Sequence, residues 1–213
     1  MILYGLVDGD VHTRKVKYSP RTCFLMTQLG EPVPKEVANV RHDLELILKA
    51  HNVALIDANS EITGKDFLVK IWNMIVAVPL AIAIVHKDMP TTTQCNIFYE
   101  IGIAQSLGKE TIVIKTKEAK VPSDFVRTEY IEYTEGFEEK VAKFLKNFFK
   151  RAEYFEIMAD QLENNPLASI DYLRRAYLIT GDEAHSEQAK KIIETGIPEG
   201  RAKTSVEMML ADF

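Results

Sequence analysis

The chain has 213 residues, 46% of them hydrophobic and 27% charged, with a net charge of −5. That is enough for one full core with a small extension, and the composition excludes a disordered chain. Residues 150–213 hold 8 basic and 12 acidic side chains, so the acidity lies in the tail, and no basic stripe offers duplex nucleic acid a track.

In chain order, "ILYGLV" and "RKVKY" flank "DGD", which predicts a hairpin or extra strand over 1–18. "TCFLM" (22–26) is a short apolar run entering "TQLGEPVP", a buried strand followed by a loop. Val37, Val40, Leu44, Ile47 and Leu48 recur at helical spacing, and "VALID" (53–57) is a second buried strand. A second helical stripe, entered through "SEITGK", runs through Phe67, Ile71, Met74 or Ile75, and Val78. "LAIAIV" (80–85) is strand three. A third helix is predicted from about Asn96 to Leu107, with Asn96 as N-cap and Gly108 as the left-handed stop. "TIVIK" (111–115) is strand four and "EYIEY" (129–133) an edge strand five.

Strands one to four are apolar on both faces and each connection is helix-sized. This pattern predicts an α/β fold, a parallel sheet covered by helices on both sides. From Gly136 the alternation stops. Phe137, Val141, Phe144, Leu145, Phe148 and Phe149 form a helical stripe, then Asn165 caps a helix with Pro166 at its first position and Gly181 at its end. The expected organisation is 1–18, an α/β domain over 19–134, and an all-α extension over 135–213. That extension is either a cap packed on the sheet or a surface for homo-oligomer formation or partner binding.

Cys23 and Cys95 make neither a disulfide framework nor a zinc site by themselves. Met1–Asp10 lacks the pattern of a secretory signal, and the apolar run Met74–Val85 is too short to span a bilayer. The expectation is a cytoplasmic protein with no membrane partner.

Ligands of open parallel sheets sit beyond the carboxyl ends of the strands, where strand order reverses. "QCNIFYEIGIAQSLGK" (94–109) places one acid, Glu100, in an apolar stretch that follows the third of those ends. On the predicted boundaries Glu100 lies in the first turns of its helix, where the dipole keeps a carboxylate ionised while partial burial opposes this. An acid there serves helix stability or a functional site. "GIAQSLGK" is not a phosphate-binding P-loop, because its glycines are too far apart and Glu110 follows the lysine.

"FLMTQLGEP" followed by "CNIFYEIGIAQSLGKETIVI" resembles the nucleoside 2-deoxyribosyltransferase-like superfamily and the related TIR-like nucleotide-binding proteins. The resemblance covers about residues 20–133 and implies a flavodoxin-like, doubly wound sheet of five strands. It implies an N-glycosidase or (deoxy)ribosyltransferase acting on a nucleoside, nucleotide or NAD, with NAD as a substrate and no cofactor. The alternative is a non-catalytic nucleotide-sensing module in a defence or toxin system. The glutamate that meets the anomeric carbon would be Glu100. Around it, Tyr99 either positions Glu100 or packs the helix, and Asn96 binds ligand or caps. His86 and Asp88 follow strand three and Asp57 ends strand two, each with a ligand role or a structural one. Thr27, Gln28 and Gly30 offer hydroxyl, amide and backbone groups to a nucleotide, though Gly30 also suits a plain turn. The chain departs from the family at "VAVPLAIAIV", where members often carry an acid before the third strand.

Overall fold

In a computed structural model that describes residues 16–30, 32–59, 67–122, 130–196, 200 and 203, five strands form one parallel sheet. They are β1 (Thr22–Met26), β2 (Ala54–Asp57), β3 (Leu80–Val85), β4 (Glu110–Lys115) and β5 (Tyr130–Glu132). The order is β2-β1-β3-β4-β5, that of a doubly wound fold. Cys23 pairs with Leu55 on one side and Leu80 on the other, and Val85 pairs with Lys115. β1 and β3 are buried along their whole length, which is why both read as unbroken apolar runs rather than as alternations.

The connections are α1 (Lys35–Ala50), α2 (Phe67–Ala77) and α3 (Thr91–Ser106). Right-handed crossovers place α1 on one face of the sheet and α2 and α3 together on the other. The five residues α1 buries are the five of its stripe, Val37, Val40, Leu44, Ile47 and Leu48. Each such side chain withdrawn from water contributes roughly 2 kcal/mol. α1 and α3 end in the same way. Asn52 (φ 55°) and Gly108 (φ 69°) take the left-handed position, and the amides of Val53 and Lys109 donate back to Leu48 and Ala104 at 2.9 Å. In α2, Ile71, Met74 and Ile75 are buried, but Phe67 is 54% exposed and stands outside the expected stripe.

α3 differs from expectation at its start. It begins at Thr91 behind Pro90, not at Asn96, so Asn96 is the sixth residue of the helix and no cap. β-branched Thr91–Thr93 lower helix propensity and hide this first turn from a sequence reading. The expected hairpin over 1–18 falls outside the described residues apart from 16–18.

The chain divides into two compact units, Thr22–Lys146, and Met1–Arg21 with Asn147–Phe213. The second contains the later part of α4 (Phe137–Gln161), α5 (Pro166–Thr180) and α6 (Glu183–Gly196). Asn165 caps α5, its side chain accepting from the Ala168 amide at 3.3 Å, and Pro166 follows at the first position. Ser169 donates to the Ala159 carbonyl at 2.9 Å and ties α5 to α4. Arg174 donates to the Tyr18 hydroxyl at 2.7 Å and pairs with Asp171, which Arg175 also holds at 3.0 Å. Among the described residues no helix is long and apolar enough to cross a membrane.

Candidate functional site

Strand order reverses between β1 and β3, so the residues just past Met26 and Val85 flank the crevice where doubly wound sheets bind ligands. Gln28 follows β1 and His86 follows β3. The structure joins them, His86 Nε2 to Gln28 Oε1, at 2.9 Å. An amide oxygen only accepts, so Nε2 carries the proton and donates. His86 is 4% exposed, and burial holds its pKa below the ordinary imidazole value while Asp88 and Glu36 pull the other way. His86 is therefore neutral at pH 7. Asp88 itself is exposed on the loop and acts on His86 through its charge.

On the α1 side, a cleft of about 270 Å³ is lined by Thr27, Gln28, Val37, Arg41 and Glu45, among others. Thr27 is 9% exposed, and its hydroxyl has no hydrogen-bond partner among the described residues. Gly30, in the loop above, has φ 92°, and a Cβ there would meet nothing within 4 Å. Its conformation explains the glycine, and the open space leaves its backbone accessible.

Asp57, at the end of β2, is occupied by structure. One oxygen accepts from Arg41 at 2.7 Å and the other from the Asn59 amide at 2.9 Å. Burial works against the Arg41 charge, but Glu45, at 3.0 Å, and Asp57 outweigh it and hold the guanidinium above its ordinary pKa. Sequence reasoning missed Arg41. The Arg41/Glu45 spacing was legible as a helical pair, but the link to Asp57 depends on where α1 lies over the sheet. Thr116, just past β4, was also missed; it is fully buried and its hydroxyl is unpaired among the described residues.

Glu100 lies elsewhere. It is the tenth residue of α3, so its Cα sits about 13 Å along the axis from the helix start. α3 runs against the strands, which puts this level beside the middle of the sheet rather than at its carboxyl edge. The expected stabilisation by the helix dipole is thereby overturned, because that effect fades within the first turn. Burial wins instead, and the carboxyl is pushed up to about 7. Glu100 is half-buried, flanked on the helix by buried Ile97, Ile101, Ile103 and Ala104, and has no hydrogen bond or ion pair among the described residues. Its Cα–Cβ bond tilts toward the helix N-terminus, as in every α-helix, and so toward the ligand edge. Tyr99 is 53% exposed and does not pack the helix, and Asn96 is exposed.

The structure thus brings together Thr27, Gln28 and His86, with Asp57 joined to them through Arg41. It leaves Glu100, Tyr99 and Asn96 as a separate set on α3. No protein-family model matches this sequence, and no curated protein matches it.

Proposed function

We propose that the chain breaks the base–sugar bond of a nucleoside, nucleotide or NAD through the Glu100 carboxylate, releasing the base to water or exchanging it for another. The observation that carries this reading is an acid held half-buried among apolar side chains with no partner among the described residues. Leaving a carboxyl unpaired in such a place costs stability, and functional sites are where that cost recurs. Breaking an N-glycosidic bond builds positive charge on the sugar. A carboxylate facing the anomeric carbon stabilises that charge or bonds to the carbon while the base departs with the electron pair. Water or a second base then attacks and the carboxylate leaves. The positive charge that develops on the sugar beside Glu100 favours its ionised form, so the carboxylate that the reaction needs is stabilised as the bond breaks. The doubly wound strand order supports a nucleotide-sized ligand at the β1/β3 reversal. On this reading the protein works in the cytoplasm, and its helical unit mediates self-association.

A second reading, nucleotide sensing without turnover, has one observation in its favour. Glu100 stands on α3 about 13 Å from the helix start, while the polar groups of the strand edge cluster at Gln28 and His86. Incubation with nucleosides, nucleotides and NAD, followed by chromatography for free base, decides between the two. The expected result is base release by the native protein and none by Glu100→Gln with an unchanged circular dichroism spectrum. Saturable binding by both proteins with no base released would establish the sensor.

A further inference from the structure

We propose that the cleft between β1 and the start of α1 binds a phosphoryl group, and that His86 sets its selectivity by fixing the orientation of the Gln28 amide. The inference deepens the nucleotide reading and rests on it for the identity of the whole ligand. Because Gln28 Oε1 accepts from His86 at 2.9 Å, its NH₂ group is left for the ligand. Arg41 uses Nε on Glu45 and Nη1 on Asp57, which leaves Nη2 without a bond among the described residues. The guanidinium thereby engages Asp57 and one oxygen of Glu45, while Glu36 and Asp88 lie near enough to act on His86. The Thr27 hydroxyl, more than nine-tenths buried and lining the same cleft, has no hydrogen-bond partner among the described residues.

α1 supplies a fourth set of donors. Its N-cap is Pro34, which makes no side-chain cap bond, and the amides of Lys35, Glu36 and Val37 have no acceptor among the described residues. A helix of 16 residues with an uncapped start favours an oxygen anion at that end. Apart from the carboxylate of Glu45, whose Oε1 Arg41 holds, the polar side chains of Thr27, Gln28 and Arg41 that line the cleft donate or can donate, and they outweigh the more distant acids Glu36 and Asp88, so the matching ligand group is rich in acceptor oxygens. A phosphate monoester meets that description, and about 270 Å³ holds it together with the sugar it is attached to. His86 touches no ligand on this account. It is a positioning residue: without its proton on Nε2 the Gln28 amide is free to flip and offer oxygen to oxygen.

Ribose 5-phosphate against ribose tests the cleft independently of the base and of Glu100. By calorimetric titration the native protein is expected to bind ribose 5-phosphate at least about tenfold more tightly than ribose, as charge-assisted bonds to phosphate require. Thr27→Val should remove part of that preference while leaving the melting temperature unchanged or higher, since it deletes an unsatisfied hydroxyl. His86→Phe should weaken ribose 5-phosphate binding, and His86→Gln, which keeps a donor, should restore most of it; if either variant fails to fold, Gln28→Ala on the half-buried loop carries the same test. Equal affinity for the two sugars, or a preference that survives Thr27→Val and Gln28→Ala, overturns the phosphoryl cleft. Base release from nucleosides in that same preparation would show that the Glu100 reading stands regardless.

Discussion

At the scale of single residues, Glu100 makes a prediction about pH with a definite sign. Burial raises its pKa from an ordinary 4.5 to about 7, so the folded protein prefers the protonated form. The contribution to stability is fully present below the unfolded value and is lost as pH rises from there through the folded one. The full span is up to about 3 kcal/mol. Glu100→Gln should therefore be the more stable protein above pH 7, and the difference should vanish below pH 4.5. Urea unfolding of both proteins across that range measures it. If Glu100 acts as a carboxylate, kcat/KM for base release rises with pH through about 7; a rate that falls through the same window would assign the carboxyl an acid's role. The sequence showed that an acid interrupts an apolar run. It did not show which force governs that acid, because the answer turned on whether the helix starts at residue 91 or 96.

α3 carries the clearest lesson at the scale of elements. Its C-terminus was legible, since Gly108 is the one residue there that takes φ 69° without strain. Its N-terminus was not, because Asn96 mimics a cap while the actual start, Pro90 and three threonines, has weak helix propensity. Every strand was legible to within a residue or two, β1, β3 and β4 as the apolar runs that a covered parallel sheet demands and β5 by its alternation, but β2, expected to be buried, is an edge strand with Ala54 exposed and only Asp57 buried. Side-chain links between elements were not: His86 to Gln28 and Arg41 to Asp57 join residues far apart in sequence, and nothing in either local pattern announces its partner. Gly102 offers a test on α3 itself. It is exposed in the helix interior, and a Cβ there would meet nothing within 4 Å. Gly102→Ala is expected to stabilise the protein by about 0.5–1 kcal/mol, measured by thermal unfolding. Stabilisation with loss of base release would mean that a ligand or partner approaches that face closely; stabilisation with activity intact would mean that the glycine is incidental.

For the whole molecule, apolar runs separated by helix-sized connections announce a parallel sheet but not its order; the observed order β2-β1-β3-β4-β5 locates the crevice between β1 and β3. The helical unit leaves Tyr154, Ile157 and Leu167 each about half exposed. If these residues mediate self-association, Ile157→Glu should lower the sedimentation-equilibrium mass while keeping the helical signal, and a native protein that sediments as a monomer would remove that role. The two cysteines supply a further handle. Cys23 is fully buried in β1, where burial pushes its thiol far up in pKa, whereas Cys95 is exposed on α3. A thiol reagent should thus modify one sulfur at once and the other only when the central strand opens. Without any engineering, the chain carries a labelling point on the helix of Glu100 and an internal clock for the unfolding of its own sheet.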